Sequence, residues 1–134
     1  CILTLVERKS RFTEIGKLKA RSTVELNSRL QRLIRRQPRK VRSLTTDNGT
    51  EFHDFRTIEA NTGALFYFSS SYCPWQRGLN ENTNGLIRQY LPKTKSMAQL
   101  TQAQCNTIAT RLNRRPRKSL AFKTPEQVYA NYCR

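Results

Sequence analysis

The sequence predicts one α/β layered domain whose later strands run parallel. Two observations lead there. Short β-prone runs alternate with amphipathic helical stretches along most of the chain, the pattern of a sheet covered by helices. The length of 134 residues, 37% of them apolar, suffices for one compact core and is too short for two. The whole of 1–134 is therefore expected to be a single domain.

The opening runs, Ile2 to Glu7 and Phe12 to Leu18, flank the charged turn Arg8-Lys9-Ser10-Arg11, the pattern of an antiparallel hairpin. Ser22 followed by Glu25 forms a capping-box signature. Leu26, Leu30, Leu33 and Ile34 then recur at helical spacing until Pro38 stops the run. Val41 to Thr46 has the β-branched content of a strand and leads into Asp47-Asn48-Gly49, a turn signal. Phe52, Phe55 and Ile58 repeat on one side of a short helix ended by Asn61 to Gly63, and Ala64 to Phe68 reads as another buried strand. A loop from Ser69 to Gly78 follows. Leu79 to Leu91 is expected to be helical until Pro92. Cys105, Ile108, Ala109 and Leu112 mark a further helix, broken at Arg114-Arg115-Pro116. Thr124-Pro125-Glu126-Gln127 is a capping box with proline at the first helical position, opening a last helix.

Twenty-five Lys and Arg against nine Asp and Glu give a net charge of +16, which favours a polyanionic partner, because phosphate binding is driven by counterion release. Nucleic acid is the expected partner. The cations gather at Arg29, Arg32, Arg35, Arg36, Arg39, Lys40 and Arg42, and again at Arg111, Arg114, Arg115, Arg117 and Lys118; a solvated basic face remains the plainer alternative. Cys1, Cys73, Cys105 and Cys133 lack C-x-x-C spacing and His53 is the sole histidine, so no zinc ligand set is apparent and reduced thiols are expected. No stretch approaches the ~18 apolar residues of a membrane span, and no secretory leader opens the sequence, so the cytoplasm is the expected location, at the nucleoid when DNA-bound. The apolar run directly after Cys1 reads as the interior of a fold, so a preceding segment is expected.

Two acids stand apart. Asp47 follows an apolar strand, where a turn-forming Asp is the simpler reading. Glu81 lies just inside a helix, where the macrodipole alone favours an acid. At about 100° per residue, Leu86, Ile87 and Tyr90 sit at least about 120° around from Glu81, whereas Gly85 and Arg88 lie within about 40° of it. Glu81 is thus expected to face away from the helix's buried stripe. Gly85 leaves room for a bulky ligand on that side, and Arg88 is placed to meet a phosphate. A strand-end Asp and a helix Glu in a strongly basic chain suit Mg²⁺, which takes oxygen ligands and bridges to phosphate. Two such ions would serve in-line phosphoryl transfer.

Thr46-Asp47-Asn48-Gly49-Thr50-Glu51-Phe52 and the block from Pro74-Trp75-Gln76-Arg77-Gly78-Leu79-Asn80-Glu81-Asn82 to Tyr90-Leu91-Pro92-Lys93 resemble the integrase-core signature of the IS-thirty family of bacterial transposases. Leu5 to Arg11 and Leu112-Asn113-Arg114-Arg115-Pro116-Arg117-Lys118 through Lys123-Thr124-Pro125 fit it too. Thirty-three residues separate Asp47 from Glu81, the spacing that family shows between the second Asp and the Glu of its Asp-Asp-Glu triad.

The resemblance implies a ribonuclease H-like three-layer α/β fold with a mixed sheet and C-terminal helices. Its implied activity is cleavage of DNA at transposon ends and joining of 3′-hydroxyls to a target, with two Mg²⁺ or Mn²⁺ ions, no small-molecule cofactor, no membrane and a homo-oligomer on DNA. Asp47 and Glu81 would be catalytic metal ligands. Arg77, Asn80, Asn82, Arg88 and Lys93 would contact DNA or shape the site, with Arg114, Arg115, Arg117 and Lys118 as further DNA contacts; Trp75 is either such a neighbour or a loop anchor. The family's first Asp sits on a central first strand that would precede this hairpin. Glu7, at the turn end of its strand and followed by Arg8 and Lys9, is a poor substitute. A chain lacking that strand is expected to leave a slot in the sheet, to be catalytically incomplete and to be poorly stable alone. The competing readings are a nuclease without joining activity and a non-catalytic DNA-binding remnant.

Overall fold

The computed structural model describes residues 2–19, 22–46, 54–68, 78–92 and 99–132, with the backbone alone for 68, 78–82 and 132. Strands β1 (Ile2–Val6) and β2 (Thr13–Lys17) pair antiparallel with Leu5 opposite Glu14, as the two β-prone runs predict. Their turn is organised by Glu7, whose carboxylate accepts from Lys9 N at 3.2 Å, Ser10 N at 2.7 Å and Ser10 Oγ at 2.5 Å. Burial raises the Glu7 pKa, but the hydrogen bonds from Ser10 and Lys9 outweigh it, and the group titrates below its usual range. The carboxylate serves the turn.

Helix α1 (Thr23–Arg36) starts on Ser22, whose hydroxyl accepts from Glu25 N at 3.2 Å. The expected box is only half formed. Glu25 instead accepts from Lys19 N at 3.2 Å, so it holds the segment entering the helix from β2. Strand β3 (Ser43–Thr46) leads toward α2 (Phe55–Thr62), which ends at Gly63 with φ 76°, the left-handed cap that glycine adopts without steric cost. Strand β4 (Leu65–Phe68) then pairs with β3 in parallel, Thr46 opposite Phe68.

Helix α3 (Gly78–Ile87) is shorter than expected. Beyond Ile87 the chain tightens into turns, Gln89 N donating to Leu86 O and Tyr90 N to Ile87 O. Pro92 explains this, since its ring excludes a helical carbonyl at Arg88 and disfavours helix at Leu91. Helix α4 (Gln102–Asn113) opens with a reciprocal Thr101/Gln104 capping box. Helix α5 (Pro125–Tyr132) starts on the predicted one, Thr124 N donating to Gln127 Oε1 and Gln127 N to Thr124 Oγ1.

Two cores make three layers. One unites Leu3, Leu44 and Phe66 from three strands with Leu26, Leu30, Leu33 and Ile34 of α1 and Ile58 of α2. The other sets Ile15 of β2 against Ile87 of α3 and Cys105, Ile108, Ala109 and Leu112 of α4. The hairpin is thus covered on both faces, while Leu65 and Tyr67 of β4 remain 55% and 56% exposed. Among the described residues the hairpin and the parallel pair form separate two-stranded sheets around the first core, with no ladder joining them.

The outer edge of β2 is closed by side chains. Asn113 accepts from Thr13 N at 2.8 Å and donates to Thr13 O at 2.9 Å; Gln102 accepts from Lys17 N at 2.8 Å and donates to Ile15 O at 2.9 Å. Arg29 Nε donates to Lys17 O at 3.2 Å. Two amides and a guanidinium thus occupy the place a neighbouring strand would take.

Gly16 is where α1 approaches β2 closely. A Cβ there would lie 2.5 Å from Arg29 Cγ and 3.3 Å from Leu33 Cδ1. Gly16→Val should therefore destabilise the chain by about 1–3 kcal/mol through overpacking. An unchanged urea midpoint would show that α1 can move aside.

Candidate active site and nucleic-acid interface

Asp47 follows β3 of the parallel pair in sequence, whereas Glu81 lies on α3, whose Ile87 packs with the hairpin and α4. Thr46, the residue before Asp47, is the last of β3, and its partner Phe68 is the last of β4. Both strands end on the same edge of their sheet. In open α/β sheets that carboxyl edge is where ligands gather. Asp47, Trp75, Arg77 and Lys93 lie outside the described residues, and Asn80, Glu81 and Asn82 are described as α3 backbone alone.

The rest of α3 bears on Glu81. Thr83 and Ile87 are each 2% exposed, whereas Asn84, Gly85 and Arg88 are exposed, so the helix has the two faces that sequence spacing assigns to it. Among the described residues a Cβ built on Gly85 meets nothing within 4 Å, in keeping with an open approach on that side. The turn after α3 is held from α4 and the residues just beyond it: both terminal nitrogens of Arg115 donate to Gln89 Oε1 at 3.2 Å, and the Arg111 guanidinium sits over the Tyr90 ring at 6.0 Å. These contacts, with buried Ile87, fix the helix that carries position 81.

Asp54, ahead of α2, is anchored too. Its Oδ2 accepts from Asn27 Nδ2 at 3.0 Å and its Oδ1 from Thr57 Oγ1 at 2.7 Å. Asp54, the first described residue after Asp47, is thus tied to α1. Nothing in the sequence flags Asn27 for this, since it sits unremarked on the apolar face of α1. Among the described residues no three carboxylate, imidazole or thiol groups converge as a metal site would require. Cys105 is a free, buried thiol, its pKa raised by burial.

The cations divide by role. Arg32, Arg35, Arg36, Arg39, Lys40 and Arg42 are exposed along and beyond α1, with Arg36 also paired to Glu14 at 3.3 Å. Arg29 is absorbed by the β2 edge. Arg88, Arg114 and Lys118 are exposed; Arg88 donates weakly to Leu91 O at 3.5 Å, and Arg114 pairs with Glu126 at 3.2 Å in solvent, a contact of little energetic weight. Arg117 is half-buried and donates to Leu112 O at 3.3 Å, tying it to the end of α4. Burial, then the charges of Arg115 and Arg11, lower its pKa. Among the described residues no helix is long and apolar enough to cross a membrane.

The described architecture matches the catalytic core domain of BIV integrase with a TM-score of 0.73 over 98% of this chain and 86% of that one, at 20% identity. The fold is therefore that of a retroviral-integrase-type, ribonuclease H-like core. No family model matches the chain. It is 47% identical over 128 residues to transposase InsI for insertion sequence element IS30A of Escherichia coli (strain K12), covering 95% of this chain and 33% of that protein. It is 41% identical over 130 residues to the transposase for IS1086 of Cupriavidus metallidurans, covering 94% and 38%, and 38% identical over 128 residues to that for IS4351 of Bacteroides fragilis, covering 96% and 39%. Over nearly its whole length the chain is thus similar in sequence to insertion-sequence transposases, an IS30 transposase among them, and it spans about a third of the length of these relatives.

Proposed function

We propose that this chain is the catalytic core of an insertion-sequence transposase that cuts DNA at the element's ends and joins the freed 3′-hydroxyls to a target. The observation that carries this reading is the 47% identity to an IS30 transposase across 95% of the chain, a stretch that includes positions 47 and 81. Asp47 and Glu81 would hold divalent metal, Mg²⁺ or Mn²⁺. Carboxylate oxygens are the donors such hard cations take, and a net charge of +16 supplies the attraction for DNA that isolated acids would oppose. The chemistry such metal would supply, if held by Asp47 and Glu81, is activation of the attacking oxygen and stabilisation of the leaving one. The chain's own residues do the rest: the exposed cations grip phosphates, Arg111 and Arg115 hold the turn after α3, and Asn27 ties Asp54 to α1. The family resemblance adds at least two protomers on DNA to this reading.

The test is a chimera in which residues 1–134 replace the matching third of the IS30A transposase. Joining of a labelled end-bearing donor should require Mg²⁺ or Mn²⁺ and stop on chelation; a chimera that only hydrolyses DNA would favour a nuclease. DNA affinity should fall about a thousandfold between about 50 and 200 mM salt if six or more phosphates are contacted. Salt-insensitive binding would refute phosphate contacts as its main source.

A further inference from the structure

Between α4 and α5 the chain makes a tight loop that neither the metal-binding acids nor α3 uses. Its base is closed by Arg117 N donating to Lys123 O at 3.0 Å and Phe122 N donating to Arg117 O at 2.8 Å. Lys118–Leu120 forms a 3₁₀ turn inside it, with Leu120 N to Arg117 O at 3.0 Å, Ala121 N to Lys118 O at 3.2 Å and Lys123 N to Leu120 O at 3.1 Å. Five backbone hydrogen bonds within seven residues make the loop rigid. At its tip Ala121 and Phe122 have φ of 53° and 64°, two successive side-chain-bearing residues in the left-handed region, which is costly and rare for a bulky ring. Such strain persists only where surrounding structure enforces it, and it gathers at functional positions.

On this strained backbone Phe122 is 71% exposed. Its surroundings are cationic: Arg114, Arg115, Arg117, Lys118 and Lys123 lie between positions 114 and 123, with no acid among them. Lys118 and Lys123, which flank the tip, are both exposed. A rigid, exposed aromatic set among cations fits a polyanion whose uncharged part is itself a flat ring. Bases and phosphates of a nucleic acid strand are that combination, and aromatic stacking with basic flanks is how unpaired strands are held. An acidic protein surface would use the lysines and leave the ring in water.

We propose that the Arg117–Lys123 loop is a DNA-contacting element in which Phe122 stacks on an unpaired base while Lys118 and Lys123 hold the neighbouring phosphates. This rests on the reading that the chain binds DNA, and adds to it a preference for a strand with unstacked bases.

The 134-residue chain is titrated with a blunt duplex and with the same duplex carrying a single-stranded overhang that contains 2-aminopurine. The overhang should bind more tightly and its 2-aminopurine fluorescence should change. Phe122→Ala, which alters no buried contact, should weaken overhang binding about 5- to 150-fold and spare the blunt duplex, while Phe122→Trp should restore it. Lys118→Ala with Lys123→Ala should instead reduce the salt dependence of both. Equal overhang affinity in Phe122→Ala and the parent overturns the proposal, as does a Phe122→Ala effect confined to self-association of the free chain. Failure of the parent to bind either DNA would overturn the DNA-binding reading itself, a result distinct from loss of the overhang preference.

Discussion

Asn113→Ala is expected to destabilise the chain by about 2–6 kcal/mol, because it strands a buried N–H and a buried C=O at once and each costs about 1–3 kcal/mol. Asn113 is 5% exposed and Thr13 fully buried, so water cannot replace the lost amide. Against a total stability of about 5–15 kcal/mol the loss is large, and the urea midpoint should fall accordingly. Asn113→Leu, which restores bulk without polar groups, should do no better. Asn113→Asp offers an acceptor to the Thr13 N–H but sets a carboxylate against the Thr13 carbonyl, and should also fail to rescue. Full stability in Asn113→Leu would mean that packing alone holds α4 to β2, contrary to the hydrogen-bond account.

Asp47→Asn and Glu81→Gln are expected to reduce strand joining by the IS30A chimera at least about a thousandfold, equivalent to about 4 kcal/mol of barrier. Both substitutions keep side-chain size and remove charge, so a metal ligand is lost with little change of shape. DNA binding should survive, since the acids oppose the phosphates and the exposed cations supply the affinity. Joining that persists in either variant would refute the assignment of that residue. Loss of DNA binding together with joining would point to a structural role.

The hairpin, the amphipathic α1 and the Thr124 capping box were legible in the sequence because each is a local signal: alternation, helical spacing or a cap within four residues. The length of α3 was less so, since the effect of Pro92 reaches back about a turn and competes with an unbroken apolar spacing. Separation of the strands into two pairs among the described residues is not a local signal and could not be read from any single run of the sequence. The closing of the β2 edge by Gln102 and Asn113 was invisible, because nothing local marks an amide that bonds to backbone 100 residues away. Of the candidate site, position 81 gained a helix with a defined exposed face, whereas Asp47 stands on sequence alone. The basic tract around Arg114 was legible as charge, but its division into the exposed Arg114 and Lys118 and the clasped Arg117 depends on the loop's path.

The same amide bonds set an order of events in folding. The turn between β1 and β2 closes over a few residues, on the microsecond scale of hairpins. Its outer edge is completed only by α4, through partners 85 to 100 positions along the chain. The entropy of closing a loop grows with the logarithm of its length, so the hairpin is expected to form early and its edge to be sealed late. At a synthesis rate of about 5–20 residues per second, a nascent chain would carry an unsealed strand edge for several seconds. That interval, rather than the finished protein, is when the hairpin is most exposed to pairing with another chain.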